Sequence, residues 1–243
     1  NTKAPKNNIE RSYNFKGISN KLKGSPNKNL SEKNSLEIFK EIGINTVHFE
    51  IFSNEEQAKN FASILGFPIA IKILSNEFLH KTEIGGVELN INSMDSLISS
   101  YQKLSKISNN LNIKENEKKF IMQKMEKGLT EIILGYRVDE LVGPIVMIGS
   151  GGVMSEIFDD KSIRIAPVEI SDAMEMIKEV KSLISVQGFR GLPKADMKVL
   201  AQAIVKISQL ASVREIKDAE INPIIIKEGQ EGLVAVDGLI TLN

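Results

Sequence analysis

The sequence has no cysteine, which excludes disulfides and thiolate chemistry and agrees with a reducing compartment. No apolar run approaches the roughly 20 residues that a membrane helix needs, and the first residues carry no apolar signal core. No membrane partner is therefore expected, and the cytoplasm is the expected location. Net charge is missing too, because 31 basic residues cancel 31 acidic ones. Without a basic footprint, no nucleic-acid partner is expected. Two nucleotide fingerprints are also lacking. There is no GxxxxGK[ST] phosphate loop and no GxGxxG after a strand. No solenoid repeat is visible. Histidine is scarce: the chain has His48 and His80 and no other.

What is present is 243 residues, 42% of them hydrophobic, enough for a core in one large domain or two small lobes. The chain begins at Asn1 rather than at methionine, as expected of a trimmed product, a separate subunit or a piece of a longer polypeptide. Residues 1–30 are rich in Asn and Lys without a clear period and read as a linker or N-terminal arm. Ser31 opens a helix whose stripe is Leu36, Phe39 and Ile42, with Gly43 at its end. INTVHFEIF is a strand that keeps His48 at a surface or edge. SNEE at 53–56 predicts a helix capped by Ser53 and Glu56. FPIAIKIL and VELNIN are strands, the second with Val87, Leu89 and Ile91 inward. Ser93 caps a further helix, and the polar stretch 108–118 reads as a boundary between lobes. Beyond it come the strands FIMQKM, TEIILGYRV, GPIVMIG and SIRIAP, then helices from Ser171 and from about Pro193. Strands and helices mix in both halves, which predicts an α+β protein of two lobes, 31–119 and 120–243.

Three features invite chemistry. Lys72 falls in mid-strand, where burial is costly unless an anion meets it. It is either a snorkelling lysine on an edge strand or a cation aimed at a ligand. LHKTEIGGVELN at 79–90 offers a histidine, a lysine, a threonine and the backbone of Gly85 and Gly86 between two strands. It is either a plain turn or a loop for an anion. The last feature is the terminal hairpin. With its turn centred between Gly229 and Gln230, Asn222 stands opposite Asp237. Glu220 shares their face, two residues away. Two carboxylates and an amide oxygen suit magnesium, which takes one or two carboxylates besides substrate phosphates. The competing reading is a solvated strand face. Ala219, Ile221, Val234 and Val236 are expected on the apolar side.

In order along the chain, FPIAIKI, LHKTEIGGVELNI, IMQKMEKGLTEIILG, GPIVMIGSGG, SIRIAP, GFRGLP, AEINPIII and VAVDG resemble one family. It is the ATP-grasp nucleotide-binding part of the ADP-forming acyl-CoA synthetases, including the ADP-forming acetate-CoA ligases and, more distantly, succinyl-CoA synthetase β chains. The resemblance implies the ATP-grasp fold, two α+β lobes with ATP or ADP between them, and Mg2+. It implies a reversible reaction in which acid, CoA and ATP give acyl-CoA, ADP and phosphate. It implies a partner, a CoA-binding α-type subunit or domain with its own phosphohistidine loop. The family's histidine relay maps to His80. Lys72, Lys81 and the Gly85–Gly86 backbone map to phosphate binding, Lys124 and Met125 to the adenine hinge, and Glu131 to the glutamate after it. Asn222, Asp237 and Glu220 map to the metal. Arg164 and Arg190 map to arginines that meet phosphate or the visiting loop. Two departures stand out: in RVDELVGP, Val138 holds the place of a family arginine, with Arg137 one residue early, and Glu83 stands where aspartate is commoner. Other functions are a non-catalytic regulatory ATP-grasp module fused to or partnering a protein acetyltransferase, or a nucleotide-binding scaffold.

Overall fold

Two antiparallel sheets, each with its own helices, organise the chain. The computed structural model describes residues 14–75, 81–114, 118–152, 160–188 and 193–243. The smaller sheet has the order β1–β4–β2–β3, built from β1 (Phe49–Phe52), β2 (Ile69–Ile73), β3 (Val87–Ile91) and β4 (Phe120–Lys124). Helices α3 (Glu55–Leu65) and α4 (Met94–Asn110) pack against it. Ile69, Ile71 and Ile73 of β2 join Ala58 and Ala62 of α3 and Leu97 and Leu104 of α4 in its core. Phe120 stacks on Phe52 at 5.4 Å and meets the Tyr101 ring edge-on at 5.4 Å, the offset geometries that aromatic quadrupoles favour.

The larger sheet runs β10–β8–β5–β6–β7, with β9 also paired to β8. Its strands are β5 (Thr130–Asp139), β6 (Gly143–Ser150), β7 (Lys161–Ile165), β8 (Ile216–Ile226), β9 (Leu233–Ala235) and β10 (Gly238–Leu242). Along β5, Ile132, Leu134 and Tyr136 point into the core, while Glu131 and Arg137 are exposed on the other face, the period-2 pattern of a half-buried strand. Helices α5 (Ile170–Glu179) and α6 (Met197–Ser208) cover the core side through Ala173, Met176, Leu200 and Ile204.

The lobes do not divide at residue 119. Helices α1 (Phe15–Leu22) and α2 (Glu32–Glu41) carry Ile18, Leu22, Leu36 and Phe39 into the core of the larger sheet. Strand β4, expected to begin the second lobe, instead lies between β1 and β2 of the smaller sheet. Part of the supposed N-terminal linker is thus helix α1, capped by Asn14, whose side chain accepts from Gly17 N at 2.8 Å. Its apolar stripe is Phe15, Ile18 and Leu22 alone, too short to stand out from the polar background.

Local rules mostly held, with shifts of a residue or more. Ser31 and Ser93 cap α2 and α4, and Ser93 and Ser96 bond each other's backbone N–H groups. At α3 the cap is Asn54, not Ser53. Asn54 Oδ1 accepts from Gln57 N, and Gln57 Oε1 accepts from Ser53 N, both at 2.9 Å. Asparagine caps as well as serine. In α6, Asp196 caps by accepting from Lys198 N at 2.9 Å, so the helix starts later than Pro193. In β3, the pairing with β2 slips between Ile69 and Ile71, and Asn90 has φ 56°. The alternation breaks there, and Leu89, expected inward, is 55% exposed.

In the GSGG stretch, Gly151 is held by close approach. Its N–H donates to Glu131 O at 2.9 Å, and a Cβ would sit 2.8 Å from both Glu131 C and Ile132 N. Gly151→Ala must push one backbone off the other, an overpacking that costs about 1–3 kcal/mol. A thermal or urea melt is expected to show that loss; an unchanged melt would refute the close-approach reading.

Candidate functional site

The hairpin register came out as expected. Ile224 pairs with Ala235 and Ile221 with Gly238, and Asn222 N donates to Asp237 O at 3.2 Å. Asn222 Nδ2 donates to Glu220 Oε1 at 3.3 Å, so these two share the exposed face. The apolar side differs from the expectation. Between Ile132 and Leu134 the pairing with β8 gains a residue, and such a bulge reverses the facing of everything beyond it. Ala219 and Ile221 therefore join the main core together with Ile224 and Ala235. Val234 and Val236 instead pack with Val47 and Ile225 in a separate small cluster.

Lys72 is not an edge lysine. Its strand lies between β4 and β3, and the residue is 5% exposed. The anions that meet it belong to the protein. Lys72 Nζ donates to Glu32 Oε1 and to Asp237 Oδ2, each at 2.8 Å. Lys81, also buried, donates to the other oxygen of Glu32. Gln123 Nε2 donates to Glu32 Oε1 at 2.9 Å and to Val236 O at 3.1 Å. Gln123 Oε1 is buried without a hydrogen-bond partner among the described residues. One carboxylate from α2 thus gathers three side chains of the smaller lobe, and Lys72 carries the link on to the hairpin of the larger one.

The charges respond to one another. Burial disfavours the charged form of Lys72, but Glu32 and Asp237 outweigh it and raise its pKa above the lysine range. Burial pushes Glu32 upward, yet Lys72 and Lys81 hold it below the usual carboxylate range. Its place in the first turn of α2, at the positive end of the helix dipole, acts in the same direction. Burial wins at Asp237, with the charge of Glu32 adding to it, and its carboxyl lies above the ordinary range despite Lys72. Among the described residues no three His, Asp or Glu side chains cluster as a metal cage. Two carboxylates and one amide on neighbouring positions instead match the sparse protein share of a magnesium site completed by phosphates. Asp237 already accepts a cation, the Lys72 ammonium, so its carboxylate fits that role.

Other expected site residues fall in different places. Glu131 is exposed on the face of the larger sheet opposite the main core, the face that also presents Glu220. Lys124 donates to the carbonyls of Leu65, Gly66 and Phe67 at 3.2, 3.0 and 3.1 Å, closing the end of α3. Met125 N donates to Pro68 O at 3.0 Å, so that N–H is occupied. Gly85 has φ 68°, a left-handed value that suits glycine, and Gly86 N donates to Lys81 O at 2.7 Å. Arg164 is not brought to the cluster. It pairs with Glu179 of α5 on the helix-covered side, which raises its pKa. His80 and Arg190 lie outside the described residues. His48 is exposed and 3.1 Å from Glu50, as a surface histidine should be. Glu32 was missed, because an acidic residue in the first helical turn is ordinary, and its partners lie 40 and 49 residues away.

The model of the ATP-grasp domain matches residues 21–242. The chain belongs to the ATP-grasp family. It is 35% identical over 217 residues to the acetate-CoA ligase (ADP-forming) I β subunit of Pyrococcus furiosus, covering 89% of this chain and 93% of that one. It is 31% identical to the 4-hydroxybutyrate-CoA ligase (ADP-forming) of Nitrosopumilus maritimus, covering 93% of this chain but 33% of that longer one. Among solved structures, the ATP-grasp arrangement matches acetyl-coenzyme A synthetase 1 of Ca. Korarchaeum cryptofilum, solved with coenzyme A, Ca-AMPCP and HgCl+. The TM-score is 0.83 at 31% identity over 94% of this chain and 99% of that one. The same synthetase with coenzyme A and Mg-AMPPCP, its phosphohistidine segment pointing towards the nucleotide site, matches at TM-score 0.77 and 30% identity, over 94% and 100% of the two chains. Among the described residues no helix of this ATP-grasp chain is long and apolar enough to cross a membrane.

Proposed function

We propose that this chain is the nucleotide-binding half of an ADP-forming acyl-CoA synthetase. It moves a phosphoryl group between ATP or ADP and histidine while a partner makes the acyl-CoA. The observation that carries this reading is the Lys72–Glu32–Lys81–Asp237 cluster, where two cations of one lobe share the Glu32 carboxylate and one of them, Lys72, reaches Asp237 of the metal-type hairpin. The relatives support it, since β subunits and synthetases of that class match nearly the whole chain.

Phosphoryl transfer is mostly positioning and charge neutralisation. Lys72 and Lys81 bind the nucleotide phosphates, and the Gly85–Gly86 backbone closes over them. Asp237, Asn222 and Glu220 would hold magnesium, which when bound supplies charge neutralisation at the phosphates. The carbonyl side of Lys124–Met125 meets the base, and Glu131 lies on the same sheet face as Glu220. His80 is the nucleophile of the relay; neutral imidazole is competent near pH 7, its ordinary pKa being about 6.5. The partner is a CoA-binding α-type subunit or domain that brings its own phosphohistidine loop.

Incubation with γ-labelled ATP and Mg2+ tests the relay. Acid-labile, alkali-stable label on the wild-type chain that disappears in His80→Ala is the expected result. Full labelling of the variant, or full synthetase activity with the partner present, would remove His80 from the mechanism.

A further inference from the structure

Glu32 lies in none of the nucleotide or metal segments, yet it is the hub of the site. It is 3% exposed, sits in the first turn of α2, and receives Lys72 and Gln123 on one oxygen and Lys81 on the other. All three donors come from the smaller lobe. Helix α2 itself packs on the larger sheet beside β10, where Ile240 N donates to Ser35 Oγ at 3.1 Å. A lone carboxylate buried this deeply is costly unless its charge is matched and its oxygens are hydrogen-bonded, and here two ammonium groups match the charge and both oxygens accept hydrogen bonds. Without it, two ammonium groups would face each other in a low-dielectric space and repel.

We propose that Glu32 is the positioning residue for the phosphate-binding lysines. It holds the Lys72 and Lys81 ammonium groups on the two oxygens of one carboxylate and sets the smaller lobe in register with Asp237. An ammonium has three donor hydrogens. Lys72 uses one on Glu32 and one on Asp237, so it can keep Glu32 as an anchor and turn its other donors to phosphate. Asp237, the second carboxylate on Lys72, would be left to help hold a divalent cation. Protein kinases use the same physical device, a strand lysine held by a helix glutamate so that it meets phosphates in one place. Electrostatic groups accelerate transfer most when they are fixed before the charge arrives, and Glu32 supplies that fixation without touching the nucleotide.

The inference rests on the nucleotide reading above, and one experiment separates the two. Calorimetric titrations of the full chain compare Mg2+-ADP with adenosine, which has no phosphate. The wild-type chain is expected to bind ADP much more tightly than adenosine. In Glu32→Gln the ADP affinity is expected to fall at least about tenfold, while adenosine binding stays within about twofold. Glu32→Asp keeps the charge and serves where the amide variant does not fold. It displaces the lysines by one methylene and is expected to weaken ADP severalfold, again sparing adenosine. Wild-type affinity for ADP in both variants would overturn the positioning role. Equal losses for ADP and adenosine would also overturn it, since they would make Glu32 a general structural support. A wild-type chain that ignores ADP would sink the nucleotide reading itself, and this inference with it.

Discussion

Lys72→Met is expected to do the most damage of any single substitution, to stability and to phosphoryl transfer alike. Methionine fits the volume of the lysine stem but leaves Asp237 without its cation and Glu32 with Lys81 and Gln123 alone. Removing one partner of a buried pair strands the other charge and costs about 3–5 kcal/mol. For a chain of 243 residues, each kcal/mol moves the melting temperature by about 2–4 °C, so a drop of roughly 6–20 °C is expected. Transfer to histidine should slow by about 10²–10³-fold, the usual effect of losing one preorganised group that faces developing charge. Lys72→Arg is the control. Its planar fork cannot occupy the point that the ammonium fills, so it should recover more stability than rate. A Lys72→Met chain that melts and labels like wild type would refute the cluster as the site. The pH dependence has a definite sign. Glu32 titrates below the usual glutamate range. Its contribution is therefore complete above that range and is lost only as pH falls through the lowered value. Acid melts should show this loss in the wild type and not in a Glu32→Gln chain.

Asp237→Asn should separate function from stability. Burial already works against the charge of this carboxyl and raises its pKa, so neutralising it removes an unfavourable group as well as a partner of Lys72. Lys72 keeps Glu32 at 2.8 Å. The melt should shift far less than in Lys72→Met. Metal dependence should change sharply, because an amide is a poor substitute for a carboxylate toward a hard dication. The Mg2+ concentration for half-maximal labelling should rise by about 10–100-fold, since loss of even an outer-shell partner has effects of that size. An unchanged Mg2+ requirement would remove Asp237 from the metal site, and a melt as damaged as that of Lys72→Met would show that its role is structural.

The sequence and the structure agree where the cause is local, and part where partners are distant. Helix caps at Ser31 and Ser93 depend on a few consecutive residues and were legible. So was the hairpin that sets Asn222 against Asp237, because a single turn fixes its register. The facing of Val234 and Val236 was not legible, because the bulge that reverses it arises where β8 meets β5, about 90 residues away in the chain. Helix α1 was hidden in polar sequence because two residues, Ile18 and Leu22, carry its burial.

By itself, the sequence determined the chemistry available. It supplied no thiol, two histidines, a lysine in mid-strand and a hairpin of hard oxygen donors, in an order that points to the ATP-grasp family. Residue types and short spacings carry that information, since strand faces and turn registers follow from neighbours in the chain. Only the tertiary structure decided what meets Lys72. Glu32 comes from a helix that the sequence places in one lobe and packing places against the other sheet, and Asp237 lies 165 residues beyond Lys72. A buried cation settles beside whichever carboxylates folding brings to it, and no local rule names residues so far apart.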